Sequence, residues 1–129
     1  YGRSRGLGDV YKRQIQNLNL LKIYALATLL LSSIVFSDEP LIVDVRSLEE
    51  VKTGIIQDAI HIEWTQIDKE INNIDITKDQ PIYLYCRSGN RSGKAAVILE
   101  KIGFTNVINV GGIDEAAKKL EKKIVQYSE

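Results

Sequence analysis

The run Pro81-Ile82-Tyr83-Leu84-Tyr85-Cys86-Arg87-Ser88-Gly89-Asn90-Arg91-Ser92 joins an apolar strand pattern to a helix pattern through a short polar loop that opens on the chain's only cysteine. A buried strand that ends at a cysteine and passes through Gly89 into a helix leaves successive backbone N–H groups pointing at one spot, with the positive end of the helix dipole behind them. A thiolate at that spot is stabilised, so Cys86 is expected to ionise more readily than an ordinary thiol. Arg87 and Arg91 add fixed positive charge, which suits an oxyanion better than a neutral ligand. Cys86 is therefore the candidate nucleophile, and Arg87, Ser88, Gly89, Asn90, Arg91 and Ser92 form the candidate binding loop.

Outward from this loop the chain alternates strand and helix. Residues 41–45 read as an apolar strand interrupted by Asp44, and Ser47-Leu48-Glu49-Glu50 has the form of a capping box opening a helix that Gly54 ends. Ala59 to Ile62 predicts a short strand. Thr65-Gln66-Ile67-Asp68 predicts another helix start, with Ile67 and Ile71 facing inward. After the loop, Ala95, Ile98, Leu99 and Ile102 recur at helical spacing up to Gly103. Val107 to Val110 reads as the last strand and residues 113–125 as a charged amphipathic helix. Such alternation predicts an α/β fold, a single domain whose central parallel sheet is flanked by helices on both faces. Sites in such sheets form at the carboxyl ends of strands, where Cys86 falls.

Four stretches resemble a known family. The strand followed by Cys-Arg-Ser-Gly-Asn-Arg-Ser resembles the active-site loop of the rhodanese (sulfurtransferase) family, with four residues between Cys86 and Arg91. The related cysteine phosphatases carry a loop one residue longer, so the resemblance implies sulfur chemistry over phosphate. Leu41-Ile42-Val43-Asp44-Val45-Arg46 is similar to the family's first core strand. Gly54, Ile56, Ala59 and Ile62 keep part of the stretch that follows it, where Ile55 stands in place of the usual histidine. Gly103 to Gly112 resembles the last strand and its double glycine. Ala116 stands where many members have tryptophan, a feature shared with the small periplasmic members of the phage-shock-protein E type.

The resemblance implies a single-domain sulfurtransferase without a cofactor. The Cys86 thiolate would take a sulfane sulfur from a small anionic donor such as thiosulfate and pass it, as a persulfide, to cyanide or a thiol acceptor. Arg87 and Arg91 would bind the donor's sulfonate. A non-enzymatic persulfide carrier or partner-binding module is the alternative reading, and a phosphatase or arsenate reductase is disfavoured by loop length. A monomer is expected.

The other polar candidates are weaker. Asp44 and Arg46, at the end of the first strand, are expected to brace the first helix, with orienting the active loop from behind as the alternative. His61, the only histidine, reads as a satisfied or surface residue rather than the base of a Cys-His pair. One cysteine and one histidine give no metal-ligand spacing, so no metal site is expected. Trp64 and Tyr83 read as packing residues.

Composition separates the N-terminal third from the domain. The chain has no methionine, and residues 1–14 read as adapter-derived sequence outside the fold. Lys22 precedes a largely apolar run of 14 residues, Ile23 to Phe36, shorter than a span of roughly 20. Residues 15–37 are thus expected to be a signal peptide cleaved after Ser37, which places residues 38–129 in the periplasm or outside the cell without stable membrane association. An uncleaved anchor or a core helix is the alternative. The whole chain is formally neutral, but residues 38–129 carry 12 basic and 16 acidic side chains, a net of −4, which argues against nucleic acid as a partner. A lone cysteine in that compartment has no internal disulfide partner.

Overall fold

Strict alternation along two short strands generates two hydrophobic cores. Val43 from one strand, with Val45 just past its end, and Ile82, Leu84 and Cys86 from another, point to one face of a sheet, while Ile42, Tyr83 and Tyr85 point to the other. The computed structural model describes residues 15–25 and 39–129. Strands β1 (Leu41–Asp44), β3 (Ile60–His61), β4 (Ile82–Cys86) and β5 (Val107–Gly112) form a four-stranded parallel sheet in the order β3-β1-β4-β5. Strands β2 (Ile55–Ile56) and β6 (Ile124–Val125) pair antiparallel in a separate ribbon.

Helices cover both faces, as the expected α/β architecture requires. Numbered within this unit, they are α1 (Leu48–Val51), α2 (Ile67–Glu70), continued by a 3₁₀ turn at Ile71–Asn73, α3 (Asn90–Lys101) and α4 (Ile113–Lys119). On the Cys86 face, Ile67 and Ile71 pack with Ala95, Ala96 and Leu99 of α3. On the other, Ile56, Val110 and Ala116 close over Ile42 and Tyr85. Leu84 and Leu99 are fully buried, each contributing about 2 kcal/mol of transfer free energy.

The chain divides into Tyr1–Ser37 and Asp38–Glu129. In the first unit residues 15–25 are helical and exposed. The adapter-like stretch 1–14, the rest of the expected signal peptide and its cleavage point lie outside the described residues. Among the described residues no helix is long and apolar enough to cross a membrane.

Two expectations are corrected, the length of the last helix and the buried face of α3. Helix α4 stops at Lys119 rather than 125, because Glu121 takes a left-handed backbone (φ +54°). The Glu121 and Lys122 N–H groups then bond back to Lys118 and Ala117 carbonyls, the double bond of a Schellman stop that usually uses glycine. Lys122 leaves the helix and its ammonium bonds Asp58 at 2.7 Å. The ribbon of β2 and β6 has no counterpart in the sequence reading, since two-residue strands show no period. The helix start expected at residues 65–68 forms, with Gln66 at the cap of α2 and no capping side-chain bond. The buried stripe of α3 is Ser92, Ala95, Ala96 and Leu99, and Ile102, just past the last turn, is exposed.

The capping box forms as expected, with Ser47 Oγ accepting from the Glu50 N–H while Glu50 accepts from the Ser47 N–H at 3.1 Å. Between the sheet and the ribbon, the fully buried Tyr85 hydroxyl accepts the N–H of the equally buried Ile56 at 3.0 Å. Tyr85→Phe should orphan that N–H and lower stability by about 1–3 kcal/mol. Urea unfolding checks this, and an unchanged midpoint would show that the bond contributes nothing net.

Candidate functional site

Strand β4 delivers Cys86 to the carboxyl end of the sheet with its side chain in the core, where the residue is 0% exposed. The loop folds back over it. Gly89 occupies the N-cap of α3 with φ +91°, a conformation that strains any residue bearing a Cβ, and its N–H donates to Cys86 Sγ at 3.0 Å. Ser92, buried one turn into α3, places its Oγ 3.4 Å from the same sulfur. At the end of β5, Gly112 lets the strand pass under the loop, since a Cβ there would lie 2.6 Å from the Arg87 carbonyl oxygen.

Burial is the largest single influence on the Cys86 thiol and pushes its pKa up. The hydroxyl of Ser92 and the backbone N–H groups of Ser92, Ser88 and Gly89 oppose it, and together they hold the thiol below its ordinary value. The group has the character of a buried nucleophile stabilised as an anion by neutral donors.

The two loop arginines part company. Arg87 is exposed and lines a cleft of about 480 Å³ with Arg46, Glu50, Thr53, Ile113 and Asp114. Arg91, expected beside Arg87 as a sulfonate ligand, instead forks Glu50, with Nη1 to Oε2 at 2.6 Å and Nη2 to Oε1 at 2.8 Å. Its two terminal nitrogens are held by the residue that closes the capping box of α1, so this arginine ties the loop to α1. Ser88 and Asn90 are exposed at the loop's rim.

Asp44 and Arg46 form a buried forked pair, with Nη2 to Oδ2 at 2.7 Å and Nε to Oδ1 at 3.0 Å, and Arg46 Nη2 also donates to the Gly54 carbonyl at 2.6 Å. They brace the turn after α1 and make no bond to the loop's side chains. His61 Nε2 donates to the Arg46 carbonyl at 2.7 Å and its ring meets Tyr127 edge-on, so it is the satisfied histidine expected. Trp64 and Tyr83 pack against opposite cores. Sequence reasoning missed two residues that hold the site, Glu50 as the partner of Arg91 and Asn109, which bonds both Ser92 and Gly89. The one local signal for Asn109 is an asparagine inside a strand, where that residue is depleted.

The bond from Arg91, followed by those from Ser47, holds the Glu50 carboxyl down at about 2 against an ordinary 4.5, although desolvation opposes it. A carboxyl depressed in the folded state stabilises the fold above its unfolded pKa and loses that contribution as pH falls through the folded one. Glu50→Gln should therefore lower the thermal midpoint at neutral pH, and the gap between the two proteins should close between about pH 4.5 and pH 2. A gap independent of pH would contradict the ion-pair account.

Comparison with known proteins gives this geometry a family. The profile described as Rhodanese-like domain matches residues 29–119. The putative sulfur carrier protein YrkF of Bacillus subtilis is 42% identical over 75 residues, which cover 57% of this chain and 40% of that protein. The chain thus spans less than half of that relative. The thiosulfate sulfurtransferase PspE of Escherichia coli is 36% identical over 75 residues, 58% of this chain and 72% of that protein. A solved structure described as rhodanese with anions from E. coli superposes with a TM-score of 0.63 at 30% identity, covering 68% of this chain and 99% of that one. With its buried cysteine, donor loop and parallel sheet matched over most of residues 39–129, the chain belongs to the rhodanese-like domain family.

Proposed function

We propose that the protein moves a sulfane sulfur from thiosulfate, or a donor of the same kind, through a persulfide on Cys86 to cyanide or a thiol. The observation that carries this reading is the convergence of the Gly89 N–H and the Ser92 hydroxyl on Cys86 Sγ within a loop of four residues between Cys86 and Arg91. The thiolate attacks the outer sulfur of the donor, a sulfur–sulfur bond forms as the donor's own breaks, and sulfite leaves with the electron pair. The acceptor then attacks the terminal sulfur and returns the Cys86 thiolate. Each step exchanges one bond to sulfur for another, so no cofactor is required. Loop N–H groups that stabilise the thiolate serve the persulfide anion equally.

Arg87 takes the sulfonate, because it is the loop cation open to the cleft. Arg91 adds its charge from behind while Glu50 fixes its position. The name of PspE as a thiosulfate sulfurtransferase supports the choice of donor.

A carrier is the second reading. It is favoured by the complete burial of Cys86, which restricts acceptors to those that reach into the loop, and by the name of YrkF as a putative sulfur carrier protein. Turnover separates the two, since a carrier would load one sulfur yet barely accelerate thiocyanate formation. We further propose that residues 15–37 direct the domain out of the cytoplasm, on the strength of Lys22 preceding an apolar run that ends at Val35-Phe36-Ser37.

Cys86→Ser should reduce thiocyanate formation from thiosulfate and cyanide to background while the thermal midpoint holds, and residual turnover near wild type would sink the assignment. Arg87→Ala should raise the thiosulfate KM roughly tenfold or more, the loss of a bond to a charged group, with a smaller change in kcat. An unchanged KM would remove Arg87 from the donor site.

A further inference from the structure

Strand β5 carries a polar side chain, Asn109, beside the catalytic loop. The strand is irregular there: Leu84 of β4 pairs with Asn109, but Tyr85 pairs with Gly111, so Val110 is an additional residue. A bulge of this kind re-aims the side chains around it. Asn109 is aimed at the loop, where Nδ2 donates to the Gly89 carbonyl at 2.9 Å while Oδ1 accepts from the Gly111 N–H at 3.0 Å.

These two partners fix the orientation of the amide, because a main-chain carbonyl only accepts and a main-chain N–H only donates. The third contact is then fixed as well. Ser92 Oγ lies 2.7 Å from Asn109 Oδ1, and an oxygen acceptor there requires Ser92 to be the donor. A hydroxyl has one hydrogen. While it rests on Asn109, Ser92 turns a lone pair toward Cys86 Sγ, 3.4 Å away. That arrangement suits a protonated thiol, which donates, and opposes a thiolate or persulfide anion, which must accept.

We propose that Asn109 is a positioning residue that sets the direction of the Ser92 hydroxyl according to the charge on Cys86. With the thiol protonated, donation runs from sulfur to Ser92 and from Ser92 to Asn109. When the thiol proton leaves to solvent, the hydroxyl rotates and donates to sulfur, and no proton passes through Ser92. Asn109 Oδ1 is not orphaned by the rotation, since it keeps the Gly111 N–H. A neutral amide oxygen releases the hydroxyl readily, whereas a carboxylate in its place would hold it with a charge-assisted bond. The inference rests on Cys86 as the nucleophile, but it concerns ionisation of the sulfur and not the identity of donor or acceptor.

The charged groups around the site are Arg91 of α3 and Glu50 of α1, the Asp44–Arg46 pair at the end of β1, Arg87 in the loop, and Glu115 of α4 near Gly111. All are unchanged in the variants that test the idea. The test is the pH dependence of Cys86 alkylation by iodoacetamide in the full chain, which holds a single cysteine, with thermal unfolding to verify each fold.

Asn109→Asp should raise the thiol pKa by about one unit, roughly a tenfold loss of thiolate below it. In a Ser92→Ala background the same substitution should shift it by less than half as much. Equal shifts in both backgrounds would reduce the effect to simple charge repulsion, and no shift at all would remove Asn109 from control; either overturns the proposal. Asn109→Ala gives an independent check should the aspartate variant fold poorly. Relative to its own Ser92→Ala control, it should move the pKa in the opposite sense, because the acceptor that draws the hydroxyl away is gone. Coupling of the wrong sign would also overturn the proposal. Failure of sulfur transfer with this coupling intact would count against the proposed function alone.

Discussion

A sulfur atom buried in a hydrophobic core holds negative charge only if donors reach it from inside the protein. That constraint organises this fold. Cys86 shares its core with Leu84, Ile82 and Leu99, an environment that by itself favours the neutral thiol. The opposing donors come from the turn into α3, so the strand, the loop and the first turn of the helix form one device. Gly89, with φ +91°, allows the chain to reverse tightly enough for its own N–H to meet the sulfur it has just left.

The loop is held from two sides. On one, Arg91 reaches Glu50, whose carboxylate already closes the first turn of α1. On the other, β5 approaches so closely that Gly112 has no room for a side chain, and Asn109 bonds the loop's carbonyl and hydroxyl. The bulge in β5 that aims Asn109 belongs to the sheet that orients Cys86, so core packing and the chemistry of the sulfur are coupled through β4 and β5. A surface ion pair contributes little to stability. The Arg91–Glu50 pair is partly buried and forked, so its main effect is to fix where the loop sits.

Much of this was legible in the sequence because it is local. The strand at 82–86, the polar loop and the capping box each declare themselves within a few residues, and alternation of elements gave the parallel sheet. The fate of Arg91 was not legible, because its partner lies 41 residues away and was read only as a helix cap. The phase of α3 was read one turn late because the stripe begins at Ser92, a polar residue turned inward to meet sulfur. Helix α4 was read too long because its stop uses Glu121 in a left-handed conformation instead of glycine. The ribbon of β2 and β6 joins segments from opposite ends of the domain, and pairing of that kind leaves no local signal.

The central claim is that Cys86 forms a persulfide whose charge the loop supports. Its most direct test is the intact mass of the reduced, folded chain after incubation with thiosulfate, followed by addition of cyanide. The account predicts a gain of one sulfur atom mapped to Cys86, discharged by cyanide with repeated formation of thiocyanate. A folded, reduced protein that takes up no sulfur would contradict it.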